Sequence, residues 1–466
     1  MTKEKSKKKY SFKNNFITYK SYINGFGDKN YKEFDLKSES IGLQSKIEDL
    51  MNNKKTNFTE DKAASHPQLR KSYSLPNFGL QEFADINDPP ELYARDVEWD
   101  SSISKEDPLT VQHDFSGISK KYLYKNIIIL GIGGSYEGPK LLLESLRDPH
   151  TSYHYEFITG SDREEFNYKT SFLKPEETCF FVSSKSFKTD ETIENLKNAI
   201  KWSGDMDNFI AITSNKSEAE KYGIKQILEF NNEIGGRYSI WSLISQPVMA
   251  GTSGEFFSFN EGGHQADKDF LENKEYLGFI KYLSFSDIWL NNEMNINSRA
   301  VLSYIWRLRS FPNYVQQLEM ESLGKPANKN SEFKNTGQII FGGYGPTAQH
   351  SYFQLLHQGT QNICADIIAS NEDSKSLAFA QALTQARLLS DGADDLLKEE
   401  EEINGNVPLN LFLLNKIDAY TLGYLIASWE HRTYTTAVML QINPFDQFGV
   451  SAGKIYTKKY LRENGA

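Results

Sequence analysis

Residues 125–135 read Lys-Asn-Ile-Ile-Ile-Leu-Gly-Ile-Gly-Gly-Ser, an isoleucine-rich run that leads into three glycines and a serine. Such a run is typical of a buried parallel strand that enters a tight turn before a helix. Further apolar runs at residues 153–158, 178–182 and 209–213 are separated by polar and helical patterns. Strands that alternate with helices over this length predict βαβ units, and therefore a parallel sheet with helices on both faces.

The same strand-to-glycine transition recurs at residues 338–343, Gln-Ile-Ile-Phe-Gly-Gly, after a stretch of helical patterns. It predicts a second α/β unit, and two such units are compatible with a duplication. The polar residues before position 107 contain helical patches and a turn-rich region at 87–90, so we expect helices and loops there. We predict an N-terminal tail and helical region at 1–107, α/β domains at 108–250 and 251–440, and a C-terminal helical segment at 441–466.

The composition limits the possible functions. A chain of 466 residues is too long for one ordinary core, and 39% hydrophobic with 24% charged residues is typical of a soluble globular protein. The formal net charge of -10 argues against partners such as nucleic acid or an anionic membrane. Cys179 and Cys364 lie in apolar runs and indicate buried thiols in a reducing compartment. The lysine-rich residues 3–9 lack the apolar core of a secretion signal.

Three segments carry groups that suit an anionic ligand. The glycine turn that ends at Ser135 does not fit a dinucleotide fingerprint, because Tyr136 stands where the third glycine would be. Residues 184–189, Ser-Lys-Ser-Phe-Lys-Thr, lie between a predicted strand and helix, where free amides and the helix dipole favour a phosphate; helix capping is the alternative explanation. Arg237 follows two glycines and offers a permanent planar cation, with a surface ion pair as its alternative role.

Three pairs of polar residues have the spacing of one helical face. A solvated or structural role is the alternative for each member taken alone, and no third ligand accompanies the histidines as a zinc site would need. The pairs are Gln317 with Glu321, His350 with His357, and Gln447 with Lys454.

Together these segments resemble the phosphoglucose isomerase family, in the family's order, from about residue 57 to residue 454. The stretches that carry the resemblance are 57–63 (Asn-Phe-Thr-Glu-Asp-Lys-Ala) with His66 and Arg70, 131–135, 184–189, 235–239 (Gly-Gly-Arg-Tyr-Ser), 320–322 (Met-Glu-Ser), 349–350 (Gln-His) and 446–450 (Asp-Gln-Phe-Gly-Val).

The resemblance implies a cytoplasmic homodimeric aldose-ketose isomerase that interconverts glucose 6-phosphate and fructose 6-phosphate on two sugar-isomerase (SIS) type α/β domains, without metal or organic cofactor. It makes Glu321 the base that moves a proton between C1 and C2 through a cis-enediol, and Arg237 the group that stabilises the enediolate. His350, from the other subunit, and Lys454 would assist ring opening. The implied substrate-binding residues are Ser135, Ser184, Lys185, Ser186, Thr189 and Gln447 for the phosphate, and Gln317 for the sugar.

The chain departs from the family pattern at several positions. Ser186 stands where threonine is usual, Leu323 where asparagine is common, and Ser451 where glutamate is frequent. Lys188 replaces a small polar residue, and residues 344–347 are atypical. Two further functions stay open: a non-catalytic regulator that binds sugar phosphates on the same fold, and a related isomerase that also accepts mannose 6-phosphate.

Overall fold

The structure is a computed structural model that describes residues 10–73, 124–249, 251–252, 255–393 and 398–464. The N-terminal lysines, the turn at 87–90 and the predicted boundary at 107 lie outside these residues. The chain divides into two compact units. We call them the five-strand unit, within residues 65–265 and 418–424, and the six-strand unit, within 1–64, 266–417 and 425–466. The domain limits derived from the sequence stay predictions.

The described residues form eleven strands. They are β1 (Tyr10–Lys13), β2 (Ile17–Ser21), β3 (Asn126–Leu130), β4 (His154–Ile158), β5 (Thr178–Ser183), β6 (Phe209–Thr213), β7 (Gln226–Glu229), β8 (Ser298–Ser303), β9 (Ile339–Tyr344), β10 (Cys364–Ser370) and β11 (Leu409–Leu414).

Sixteen α-helices lie in the same described ranges. They are α1 (Asp28–Ser40), α2 (Leu43–Met51), α3 (His66–Tyr73), α4 (Gly134–Leu146), α5 (Arg163–Thr170), α6 (Asp190–Ser203), α7 (Lys216–Glu220), α8 (Gln246–Met249), α9 (Phe256–Glu272), α10 (Lys274–Asn292), α11 (Phe311–Leu323), α12 (Gly345–Ala348), α13 (Phe353–Gln358), α14 (Leu377–Asp391), α15 (Ala419–Leu440) and α16 (Ser451–Glu463). Among the described helices, none is both long and apolar enough to cross a membrane.

The five-strand unit contains a parallel sheet with the strand order β4-β3-β5-β6-β7. Its first four strands lie within one residue of the apolar runs that predicted them. All five residues of β3 are buried, as expected for a strand covered on both faces. The chain passes from β3 to β4 on one side and then to β5 on the other side of β3. Such a reversal opens a ligand crevice at the carboxyl ends of the two central strands.

The six-strand unit has the order β1-β2-β11-β10-β8-β9, in which β8 to β11 are parallel. Here β9 and β10 flank β8 as β4 and β5 flank β3, so the two sheets wind in the same order. The predicted fold class, α/β with two parallel sheets, is confirmed. Both cysteines are buried and unbridged, as their apolar surroundings in the sequence predicted.

Residues 10–21 correct the expectation of helices and loops at the N-terminus. β1 and β2 form an antiparallel hairpin, and β2 pairs with β11. The strand β2 buries Ile17, Tyr19 and Ser21 and half-exposes the residues between them. The ring of Phe279 on α10 lies 5.0 Å from that of Tyr19 and 4.5 Å from that of Phe12. This short alternating strand is stabilised by partners that stand hundreds of residues later in the chain, so its local polarity was misleading.

Candidate functional site

The glycine turn after β3 lies directly against the backbone of Gly236. A Cβ atom on Gly134 would fall 1.8 Å from the carbonyl oxygen of Gly236. The Oγ of Ser239 donates to that same carbonyl at 2.7 Å and to the carbonyl of Gly134 at 3.3 Å. Only glycine fits at position 134, because its neighbour is a backbone oxygen. The close approach brings the buried Arg237 beside the turn that ends at Ser135.

The loop of residues 184–189 leaves the carboxyl end of β5, the strand next to β3. At its start it meets the glycine turn: a Cβ atom on Gly131 would lie 3.0 Å from the carbonyl oxygen of Ser183 and 2.9 Å from the Cβ of Ser135. Both loops therefore stand at the reversal of strand order, where α/β sheets bind their ligands. The predicted phosphate-binding residues of this unit lie on these two loops: Ser135 ends the glycine turn, and the other loop carries Ser184, Lys185, Ser186 and Thr189.

Backbone contacts hold the 184–189 loop in shape. The carbonyl of Lys185 accepts from the hydroxyls of Thr213 and Ser214 at 3.0 and 2.9 Å, and from the amide of Ser214 at 3.0 Å. Phe187 has a positive φ of 51° and a buried ring. A left-handed conformation at a bulky residue is uncommon and persists only when the surroundings impose it.

Thr189 precedes α6 at the N-cap position, where capping was the alternative explanation for its presence. Its hydroxyl makes no capping bond and lies 3.2 Å from that of Ser184. The two hydroxyls stand together ahead of a helix N-terminus whose partial positive charge favours an anion. The first-turn residue Asp190 is exposed.

The two lysines of the loop point to different neighbours. Lys185 Nζ donates to the carbonyl of Ile234 at 2.8 Å, immediately before the segment that carries Arg237. Lys188 Nζ pairs with Glu218 at 3.2 Å, and 61% of its side chain is exposed. Lys185 and Arg237 are therefore the candidates for a local positive charge that could attract an anion to an acidic chain, whereas Lys188 pairs with an acid at the surface.

In the six-strand unit, Gln317 and Glu321 share one face of α11 as predicted. Gln317 Nε2 donates to Glu321 Oε1 at 3.4 Å. The helix ends at Gly324, whose amide donates to the carbonyl of Met320 at 3.0 Å. Glu321 thus lies in the last turn, where its carboxylate faces the negative end of the helix dipole.

The last turn of α11 lies at the amino end of β9. A Cβ atom on Gly337, two residues before that strand, would lie 3.2 Å from the carbonyl carbon of Leu323. Gln316, one turn earlier, donates its amide to the carbonyl of Ile340 at 2.7 Å. These contacts fix the direction of the helix, which runs back along β9 from the carboxyl end to the amino end.

His350 lies at the other end of the same strand. β9 ends at Tyr344, α12 follows, and the amide of His350 donates to the carbonyl of Thr347 at 3.1 Å. A strand rises about 3.3 Å per residue, so β9 from Ile339 to Tyr344 is about 17 Å long. Within one chain Glu321 and His350 are therefore at opposite ends of β9, and the structure does not bring them together.

The prediction of one helix for His350 and His357 is wrong. α12 and α13 are separate, with His350 in the turn between them and His357 on α13. Because α12 ends at Ala348 and α13 begins only at Phe353, the two histidines do not share a helical face. Burial lowers the pKa of His357, although a hydrogen bond with Gln385 opposes the effect.

Gln447 and Lys454 do not share a helix either, which corrects another prediction. A short 3-10 turn occupies residues 448–450, and α16 begins at Ser451. Gln447 precedes both elements and follows the buried Asp446, whereas Lys454 lies on α16, all of whose residues are exposed.

Lys325 is a residue of this region to which the sequence analysis assigned no role. Its Nζ lies 2.5 Å from the carbonyl oxygen of Glu321 and 2.5 Å from that of Asp446, and it pairs with the Asp446 carboxylate at 3.3 Å. The available signal in the sequence was a lysine that follows closely after the segment Met320-Glu321-Ser322. The structure therefore connects the turn of Glu321 with the segment that leads to Gln447.

A buried cluster of three carboxylates and two arginines was also missed. Asp287 accepts from Arg299 and twice from Arg432, each at 2.7 Å, and Arg432 also pairs with Asp366 at 2.8 Å. Arg299 additionally pairs with Glu319 on α11. Burial raises the pKa of Glu319, whereas the two arginines outweigh burial and lower the pKa of Asp287. These five residues are far apart in the sequence, so no local sequence pattern predicted the cluster.

Two parallel sheets of matching strand order define an α/β protein, and hydroxyls, a lysine and an arginine at the strand reversal of one sheet are candidate ligands for an anion. The family model described as phosphoglucose isomerase matches residues 24–465. The chain belongs to the phosphoglucose isomerase family.

Individual relatives agree with that membership. A glucose-6-phosphate isomerase of Shewanella amazonensis is 34% identical over 460 residues, which cover 90% of this chain and 82% of that protein. One of Legionella pneumophila is 33% identical over 439 residues, with 90% and 84% coverage. The crystal structure of a glucose-6-phosphate isomerase from Chlamydia trachomatis has a TM-score of 0.80 and 23% identity, and the match covers 98% of this chain and 90% of that one. At that identity, the likeness shows the fold.

Proposed function

We propose that this protein is an aldose-ketose isomerase that interconverts D-glucose 6-phosphate and D-fructose 6-phosphate, as in glycolysis and gluconeogenesis. The observation that carries the proposal is the match of the family over residues 24–465. The chain as a whole is acidic, so an anionic substrate needs local positive groups. The hydroxyls, Lys185 and Arg237 at the strand reversal are groups of that kind and support the proposal. A non-catalytic regulator and a broadened mannose 6-phosphate isomerase are not favoured by any of these observations. We place the protein in the cytoplasm.

In the proposed reaction, Glu321 takes the proton from C2 of the open-chain aldose. The electron pair of the broken C2–H bond forms the C1=C2 bond of a cis-enediol, and Arg237 stabilises the negative charge of the enediolate. A proton then passes from the C2 hydroxyl to O1, and return of the abstracted proton to C1 gives the ketose, so the reaction neither oxidises nor reduces the substrate overall. Gln317, which donates to Glu321, is assigned to the sugar pocket.

The phosphate is assigned to groups remote from the reacting carbons, so that its binding energy orients the sugar without blocking proton transfer. The paired hydroxyls of Ser184 and Thr189 at the N-terminus of α6 support this role. The proposed phosphate ligands are Ser135, Ser184, Lys185, Ser186, Thr189 and Gln447.

We further propose a homodimer in which His350 serves the site of the partner subunit, where it assists ring opening with Lys454. The supporting observation is that the last turn of α11, which carries Glu321, lies beside the amino end of β9, whereas His350 follows its carboxyl end. A proton-transfer group must come within about 3 Å of its target, and a His350 supplied by the partner subunit would meet that requirement at the site of Glu321.

Replacement of Glu321 by Gln tests the base. Loss of a general base costs about 10²- to 10⁴-fold in rate, so we expect a fall of at least about 10²-fold in kcat for fructose 6-phosphate in a coupled assay. Binding of the substrate, measured by calorimetry, should persist because the phosphate groups are intact. Glu332→Gln, at an exposed carboxylate paired with Lys37, is the matched control. Turnover of Glu321→Gln within tenfold of the parent would refute the assignment.

Mixed dimers test the shared histidine. Glu321→Gln and His350→Ala chains, each inactive alone, are co-expressed with different tags and the mixed dimer is purified. If His350 acts across the interface, one of its two sites has both residues intact, and activity should return to about half that of the parent dimer. A monomer in analytical ultracentrifugation, or a mixed dimer as inactive as its parents, would contradict the proposal.

A further inference from the structure

Lys325 and Asp446 join two segments of the six-strand unit that carry proposed substrate residues. The ammonium of Lys325 contacts the carbonyl oxygens of Glu321 and Asp446, both at 2.5 Å, and the Asp446 carboxylate at 3.3 Å. Only 12% of the Lys325 side chain and 8% of the Asp446 side chain is exposed. A bridge so shielded from solvent is screened far less than a surface ion pair.

The end of α11 explains why a cation is needed at this point. The last carbonyls of a helix have no intrahelical donor, and they form the negative end of its dipole. Glu321 adds a carboxylate to that same turn. The Lys325 ammonium donates to the Glu321 carbonyl and places positive charge there, so it offsets both effects and holds the turn in its helical shape.

Asp446 is itself held from its other side. Its Oδ2 accepts from the Thr59 hydroxyl at 2.7 Å. The amide of Asn443 donates to the same hydroxyl at 2.5 Å and to Asn57 Oδ1 at 2.8 Å. The carboxylate is therefore fixed within a network of buried and half-buried side chains, so the bridge joins two restrained segments.

We propose that Lys325 and Asp446 are positioning residues, which hold the turn of Glu321 in register with the segment that presents Gln447 and leads to Lys454. This inference rests on the proposed function, because the relative position of the two segments matters only if Glu321 and Gln447 act on the same substrate. Neither residue needs to touch the sugar. A base displaced by about 1 Å loses about 10²-fold in rate, so a bridge that fixes the backbone of the base is expected to act on kcat.

Hydrogen exchange followed by mass spectrometry tests the bridge without reference to activity. In Lys325→Met, which keeps the length of the side chain and removes its charge, amides of residues 322–325 and 447–450 should exchange at least about tenfold faster than in the parent protein. Lys281→Met is the matched control, because Lys281 pairs with Asp35 at 2.7 Å and only 17% of its side chain is exposed. It should leave both segments unchanged.

Kinetics test the positioning role. Lys325→Met should lower kcat for fructose 6-phosphate by about 10- to 100-fold with KM changed less than about threefold, since the 184–189 loop is untouched. Asp446→Asn should cost less, about threefold to tenfold, because both carbonyl contacts of Lys325 survive. Since both variants act on one bridge, the double variant should match Lys325→Met within about twofold.

Each outcome decides between the claims. Unaltered exchange at both segments in Lys325→Met overturns the bridge, whatever the enzyme does. Faster exchange with kcat per folded protein unchanged, or single losses that multiply in the double variant, overturns the positioning role. Absence of turnover in the parent protein would refute the proposed function and the positioning role with it, while the exchange result would still decide the bridge.

Discussion

Gly134→Ala should damage activity by moving backbone rather than by removing a functional group. The added Cβ would lie 1.8 Å from the carbonyl oxygen of Gly236, and real Cβ atoms essentially never come closer than 3.0 Å to another atom. The two backbones must therefore separate by more than about 1 Å. Ser239, which donates to both carbonyls, resists that separation. Arg237 and the turn of Ser135 would then lose their alignment.

The size of the effect follows from this displacement. A shift of about 1 Å costs about 10²-fold in rate, equivalent to roughly 2.7 kcal/mol of transition-state stabilisation. Gly138→Ala is the graded control on the same helix, since its Cβ would approach Ile240 Cβ at 3.0 Å, and a shift of a few tenths of an ångström relieves it. Both changes replace a helical glycine by alanine, which has the highest helix propensity. Helix propensity therefore cannot explain a loss of activity in Gly134→Ala that is absent from Gly138→Ala.

Steady-state kinetics with fructose 6-phosphate measure the effect, with circular dichroism and the melting temperature as checks on folding. We expect kcat/KM about 10²-fold below the parent for Gly134→Ala and within about threefold for Gly138→Ala. If folded Gly134→Ala retains kcat/KM within threefold of the parent, the contact between the two loops does not align the site and the reasoning fails.

Two further predictions concern the buried charge cluster. Asp287→Asn removes one of the two carboxylates that Arg299 and Arg432 share, the other being Asp366, so urea denaturation should show about 3 kcal/mol lower free energy of unfolding. The exposed Asp373→Asn should change little, and equal denaturation midpoints for Asp287→Asn and the parent would show that this carboxylate does not stabilise the fold. In the parent protein the arginines lower the pKa of Asp287 despite its burial, so its ion contributes stability above about pH 4 that is lost as the pH falls through the folded-state pKa. Melting temperatures from pH 7 to pH 3 should therefore fall less steeply for Asp287→Asn than for the parent, and parallel curves would contradict this.

Strand and loop positions of the five-strand sheet were predictable from the sequence because their signals are local. β3 and β5 consist mainly of apolar residues and are buried along their whole length, as expected for strands covered on both faces. The loop residues that follow them are of the types that hold anions. The face shared by Gln317 and Glu321 was equally local, since positions four apart on a helix are neighbours.

Other features depended on partners distant in sequence. The sequence of the hairpin at residues 10–21 is mostly polar and gave no sign of a strand. Its strands are stabilised by the pairing of β2 with β11 and by aromatic rings of α10 that pack against it. His350 was expected on a helix with His357, but the chain breaks after α12, and only the direction of α11 along β9 shows that His350 and Glu321 lie at opposite ends of that strand.

By itself the sequence determined the α/β class, the strands that enter the glycine turns and the chemical types of the candidate groups, because burial of apolar runs and helical spacing act over a few residues. The tertiary structure alone decided that Gly134 meets Gly236, that Lys325 bridges Glu321 and Asp446, and that three buried carboxylates pair with two buried arginines. These contacts join segments that are distant in the sequence, and sequence separation does not determine distance in space. Only the packed fold therefore defines them.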